Sequence, residues 1–392
     1  MTKRESLQRG PEWRHFTVFG VIVSAVVLVA LLMVSDCGGG QDSPGNTATP
    51  TFGPVGTINA GGQLAFIAND GNLTLINPDG SGAEAITEGG GVQRYAWSPD
   101  GSLIAVQRQD GAGSRVEVIR PSGETVFDAG DGAAPVWAPL GGRLLVERAG
   151  GLDLLDVGGE SVRSIPSAVL PDWSSDGTAI AFIRTSDDGK GVPMITAVES
   201  GEERALDATI TPDEAIYPVL WHPGRAVLGF RNALYEPGTG TKTELPGPVA
   251  YFSPDGRLVL VILGPDPTIT GRPARLLDLT QGAKATIGLD VRPAPDETPP
   301  WLYIKRWTDW SKDGRLLFYM DPDEMRPRVR IYDTVAITQD AYRNIRGENP
   351  NLSPDGTHAT FEYEGRVWVF PLNAAALVPL AEGSLPAWQP AP

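Results

Sequence analysis

From residue 63 to the C-terminus, apolar runs of four to six residues alternate with polar, turn-forming stretches. Five of these runs share one leader. Trp97-Ser98-Pro99-Asp100-Gly101 precedes Ser102-Leu103-Ile104-Ala105-Val106, and Trp173-Ser174-Ser175-Asp176-Gly177 precedes Thr178-Ala179-Ile180-Ala181-Phe182. Phe252-Ser253-Pro254-Asp255-Gly256, Trp310-Ser311-Lys312-Asp313-Gly314 and Leu352-Ser353-Pro354-Asp355-Gly356 introduce three more. Degenerate copies start at Trp137 and Trp221, and a last fragment starts at Trp388. The leader is turn chemistry: Pro presets φ, Asp bonds nearby backbone and Gly accepts φ > 0. The apolar run after it predicts a strand buried on both faces.

The copies begin at 97, 137, 173, 221, 252, 310, 352 and 388, on average about 42 residues apart. A period of about 40–45 residues with several short strands per unit predicts propeller blades. Each blade has four strands, with the aromatic residue ending the innermost one. The chain ends are complementary. Gln63–Ile67, Asn72–Ile76 and Ala83–Thr87 are three strands lacking an innermost one, while Leu385–Trp388 is an innermost strand lacking three. Joined, they complete a blade and remove exposed edges. The expectation is an all-β propeller of eight blades, or seven if the short unit 221–252 fails.

This repeat resembles the TolB-type β-propeller family, over roughly residues 60–392. The resemblance rests on the recurring Trp-Ser-Pro-Asp-Gly signature and its apolar strand. It implies architecture and envelope-associated protein contacts, not a chemistry. The repeat positions it marks as structural are Trp97, Asp100, Gly101, Trp137, Trp173, Asp176, Gly177, Trp221, Phe252, Asp255, Gly256, Trp310, Asp313, Gly314, Asp355, Gly356 and Trp388.

Ahead of the repeats the pattern changes. Lys3, Arg4, Arg9 and Arg14 flank Phe16–Ser35, twenty residues without a charge. Such a helix is about 30 Å long and spans a bilayer core. The basic flank orients it with everything after Ser35 outside the cytoplasm. Val34-Ser35-Asp36-Cys37, followed by three glycines, resembles a bacterial lipobox with Cys37 as the lipidation candidate. Asp36 departs from that pattern, so an uncleaved anchor, a lipidated Cys37 and plain secretion all stay open. The predicted organisation is a signal or anchor segment over 1–36, a Gly/Ser/Thr/Pro linker over 37–56, and a propeller over 57–392.

Composition narrows the chemistry. With 32 Lys+Arg against 48 Asp+Glu, the net charge is −16, the wrong sign for a nucleic-acid surface. One cysteine and three histidines speak against a disulfide framework and against Cys- or His-based metal sites. No nucleophile elbow or nucleotide-binding glycine pattern occurs, so no catalytic, metal or cofactor residue is expected. Between Phe252 and Trp310 the repeat is overlong, and the excess ends in Trp301-Leu302-Tyr303-Ile304-Lys305-Arg306-Trp307. Trp301, Tyr303, Lys305, Arg306 and Trp307 are the candidate partner-binding residues, since aromatics with cations in an insertion suit recognition. The alternative is that Tyr303–Trp310 is an extended innermost strand. The loop Ala208–Tyr217 opens on the same face, opposite the Ser-Pro-Asp-Gly turns. Two function classes remain: a membrane-tethered, non-catalytic module binding a protein, peptide or glycan, and a glycan hydrolase or lyase using channel carboxylates.

Overall fold

The computed structural model describes residues 62–211, 217–263, 274–282, 286–289, 308–321, 328–336, 338–343, 347–372 and 377–391, all within the compact unit Pro50–Pro392. Apart from one 3-10 turn at Leu279–Gln281, every regular element among them is a strand.

The strands form consecutive antiparallel sheets of four. The first blade runs Val92–Trp97, Ile104–Asp110, Gly113–Ile119 and Thr125–Asp131, each strand pairing with the next. Five further blades repeat this order, beginning at Ala133–Trp137, Ala168–Trp173, Leu220–Trp221, Val249–Phe252 and Thr308–Trp310. The unit starting at Trp221 keeps all four strands, although they are only two to four residues long. Where first strands of neighbouring blades touch, as Val92–Trp97 with Ala133–Trp137 and Thr308–Trp310 with Glu348–Leu352, they mark the inner side of the ring, around a central channel.

Closure differs in one detail from the expectation. The last strand is continuous over Val378–Trp388. Its first half pairs with Arg366–Pro371 as the outermost strand of the seventh blade. Its second half pairs with Leu64–Ala68 as the innermost strand of the eighth. The bend lies at Gly383, whose φ is 154° and where a Cβ would collide with the Ile67 carbonyl. Glycine tolerates that backbone and that approach. The eighth blade is completed by Leu73–Ile76 and the two-residue strand Glu84–Ala85.

The core is divided among the seams. Each pair of neighbouring blades shares its own apolar cluster: Leu260 and Leu276 of the fifth blade against Trp310 and Tyr319 of the sixth, Val116 and Val118 of the first against Trp137 and Leu144 of the second, and so around the ring to Leu64 and Phe66 against Val367. A second strand such as Leu258–Ile262 is therefore buried at every position, because both its faces meet a neighbour.

The Ser-Pro-Asp-Gly turns are one structure built five times. Ser98 Oγ donates to Asp100 Oδ1 at 2.6 Å and accepts from Leu103 N at 2.9 Å, and Asp100 Oδ1 also accepts from Ser102 N. Gly101 sits at φ 69°. Ser174/Asp176, Ser253/Asp255, Ser311/Asp313 and Ser353/Asp355 reproduce the clamp at 2.5–2.6 Å. The serine hydroxyls hold the carboxyls of Asp100, Asp176 and Asp313 below the usual range. Replacing Asp176 by Ala is expected to cost about 1 kcal/mol, as loss of a local cap does, read as a small fall in the melting temperature.

Candidate functional site

The innermost strands and their neighbours line the channel, and their side chains mainly fasten blade to blade. The repeated tryptophans reach backwards. Trp137 Nε1 donates to Ala96 O at 3.0 Å, Trp173 Nε1 to Val136 O at 3.4 Å and Trp388 Nε1 to Asn351 O at 3.2 Å. The residue just before the aromatic reaches forwards. Asp172 Oδ2 accepts from Trp221 N at 2.7 Å, Asp309 Oδ2 from Leu352 N at 2.7 Å, and Asn351 Oδ1 from Trp388 N at 2.8 Å. The indole N–H groups of Trp97, Trp221 and Trp310 are buried without a protein acceptor. Both Trp137→Phe and Trp310→Phe lose the same buried ring volume, so Trp137→Phe is expected to cost about 1 kcal/mol more than Trp310→Phe, because only the first also removes a bond. Thermal unfolding of the pair checks this.

Six of these innermost strands carry a bulge ahead of the aromatic. In four of them a residue before proline takes a positive φ: Ala134 at 47°, Leu170 at 52°, Asn349 at 52° and Leu385 at 51°. Such backbone persists only where its surroundings hold it. In three of the four a polar side chain from the preceding blade captures the freed N–H. Gln107 Oε1 accepts from Ala134 N at 2.8 Å, Glu362 Oε2 from Leu385 N at 3.3 Å, and Glu147 from Leu170 N. Burial raises the Glu147 carboxyl, opposed by that N–H and by Arg94.

Tyr251 of the fifth blade lies within range of the charges of Asp172 of the third and Asp309 of the sixth. Burial raises the Tyr251 hydroxyl, and the charges of Asp309 and Asp172 raise it further. Burial pushes the Asp309 carboxyl up to about 7, against the pull of the Leu352 and Trp310 N–H groups. On the turn side, the fourth and fifth blades meet through His222, which replaces the usual serine. It is buried, packs its ring at a tilt against Phe252, donates from Nε2 to Gly256 O at 2.7 Å, and accepts at Nδ1 from Gly224 N.

Among the described residues no group of three or more His, Cys, Asp or Glu is placed to hold a metal ion, and no helix is long and apolar enough to cross a membrane. Trp301, Tyr303, Lys305, Arg306, Trp307, Cys37 and the apolar segment 16–35 lie outside the described residues. Trp97, Trp137, Trp173, Trp221, Phe252, Trp310 and Trp388 end innermost strands, and the Asp-Gly pairs form the turns after them. Sequence reading missed Asp172, Asp309 and Asn351, although a polar residue immediately before the strand-ending aromatic or Leu352 is visible in the sequence.

No protein-family model matches the chain, and no curated protein sequence resembles it significantly. Its fold resembles that of solved propellers. A eukaryotic initiation factor superposes with a TM-score of 0.54 at 13% identity, over 84% of this chain and 98% of that one. An oligogalacturonate lyase from Vibrio parahaemolyticus gives 0.51 at 11% identity, over 79% of this chain and 97% of the lyase. TolB from Acinetobacter baumannii aligns at 13% identity with a TM-score of 0.43, over 84% of this chain and 67% of TolB. Identities this low speak to architecture alone, and the two superpositions above 0.5, together with the closed ring of four-stranded blades, establish the chain as a β-propeller.

Proposed function

We propose that this chain is a non-catalytic binding propeller, tethered to the membrane through its N-terminal segment in the bacterial cell envelope and recognising a protein, peptide or glycan. The observation that carries the reading is the use made of the channel carboxylates. Asp172 and Asp309 each commit an oxygen to the main chain of the next blade, which is a structural task. A rigid ring of this kind displays loops with little ordering cost on binding. The recognition edge is the insertion ending in Trp301, Tyr303, Lys305, Arg306 and Trp307.

Asp309, with its carboxyl near 7, and Asp172, both within range of Tyr251, favour a second reading, a glycan hydrolase or lyase in the channel. One experiment separates them. Full-length parent, Trp301→Ala and Asp309→Asn are cross-linked on intact cells and assayed on acidic and neutral glycans. Binding predicts that the cross-linked partner is lost with Trp301→Ala and kept with Asp309→Asn, at unchanged melting temperature for Trp301→Ala. A glycan-cleaving activity abolished by Asp309→Asn would overturn it. Protease accessibility on the same cells tests the tether: a propeller shielded inside the cytoplasm would refute the envelope location.

A further inference from the structure

Four large apolar side chains stand exposed among the described residues: Leu140, Val157, Val162 and Val335. The first three belong to the second blade and lie on one face of the disc. Leu140 is in the turn between Ala133–Trp137 and Arg143–Arg148, and Val157 and Val162 bracket the turn between Gly151–Asp156 and Ser161–Pro166. Arg143 pairs with Asp156 across the two middle strands, which brings those turns side by side. The register slips between Leu154 and Leu155, leaving Val162 as the bulged residue opposite them.

The departure is local. The turn keeps its fold, with Gly141 N donating to Ala138 O at 2.9 Å as Gly101 N does to Ser98 O. Its clamp is gone, because Ala138 and Leu140 occupy the positions of the serine and aspartate of the other turns. Leu140 is 77% exposed. A bonded, charged residue has thus been exchanged for an apolar one facing water, beside two exposed valines. Scattered single apolar residues are ordinary on a surface, whereas a cluster marks contact.

The surroundings indicate the partner. Asp156, Glu160, Glu199 and Glu202 border the cluster on its own blade and the next. The two nearby cations are already engaged: Arg143 with Glu199 at 2.7 Å, and Arg163 with the Ala197 and Glu199 carbonyls. An acidic rim repels anionic lipid, and it repels a second copy of a chain carrying −16. We propose that the turns of the second blade are a docking surface for a cationic segment of another protein, which seats an apolar side chain among Leu140, Val157 and Val162.

The probe is a synthetic amphipathic Lys/Leu peptide, with a Glu/Leu peptide of equal length as control, added to the full chain. The expected result is that the Lys/Leu peptide binds, protects residues 138–142 and 156–162 from hydrogen exchange, and loses at least tenfold in affinity in Leu140→Asp. That variant restores the residue type of the other turns, so its melting temperature should hold. Val162→Thr is the second variant, expected to weaken binding without adding charge. Attraction by charge alone would make Leu140→Asp bind more tightly. Unchanged or tighter binding, equal binding of the Glu/Leu peptide, or protection elsewhere would overturn the proposal. So would dimerisation or anionic-vesicle binding abolished by Leu140→Asp, since the occupant would then be a second copy or a membrane.

Discussion

Removal of residues 384–392 is expected to lower the melting temperature of the propeller by more than about 10 °C, or to leave it aggregated, whereas removal of residues 38–56 is expected to change nothing. The short C-terminal segment closes the ring. Ser384, Ala387 and Trp388 pair with Ile67, Ala65 and Leu64. Trp388 is buried against Leu64, Phe66, Ile76 and Val367 and donates twice to Asn351, from its backbone N–H to Oδ1 and from Nε1 to the backbone carbonyl. Gln389 continues the clasp, donating from its backbone to Gln63 O and from Nε2 to Gly101 O. Truncating one buried tryptophan costs about 3–5 kcal/mol, and for a domain of this size each kcal/mol moves the midpoint by roughly 2–4 °C. The deletion also strips Leu64–Ala68 of its inner partner and exposes an apolar edge, a template for aggregation. Equal melting temperatures for parent and both truncations would show that this strand does not close the ring.

The reason this closure was readable in the sequence is that each chain end is visibly incomplete. The period of the aromatic residues set the blades, and the turn chemistry set their inner edges. Less visible was the continuity of Val378–Trp388. Ser384-Leu385-Pro386 reads as a break, because proline normally restricts the residue before it. In the structure Leu385 takes φ 51° and Glu362 secures its N–H, so strand and bulge coexist. Ala134-Pro135, Leu170-Pro171 and Asn349-Pro350 stand at the same distance before Trp137, Trp173 and Leu352. That recurrence was the available signal for the bulges. The channel groups were illegible for another reason: Asp172, Tyr251 and Asp309 are far apart in sequence, and only the rotation from blade to blade brings the two charges within range of Tyr251.

Asp309→Asn is expected to stabilise the propeller at neutral pH by up to about 4 kcal/mol and to make no difference near pH 4. Burial raises the Asp309 carboxyl from 3.8 to about 7, so the folded state holds a proton that the unfolded chain releases. A raised folded pKa means that the favourable contribution is complete below about pH 4, is lost as pH rises towards 7, and stays lost above it. A shift of about three units at 1.36 kcal/mol each sets the ceiling of about 4 kcal/mol. Asparagine keeps a carbonyl oxygen for the Leu352 N–H, which Asp309 Oδ2 accepts at 2.7 Å, and it has no charge to desolvate. The turn aspartates Asp100, Asp176 and Asp313, whose carboxyls are lowered, act in the opposite direction, their stabilisation fading as the solution becomes more acid than about pH 4. They are common to both proteins and cancel in the difference. Denaturant unfolding of parent and Asp309→Asn from pH 4 to pH 8 gives that difference directly. A gap that grows with pH and levels off above about 7 is the expected curve. A gap that is constant with pH, or that widens towards acid, would show that Asp309 is charged in the folded channel and that its link to Leu352 is an ionic one.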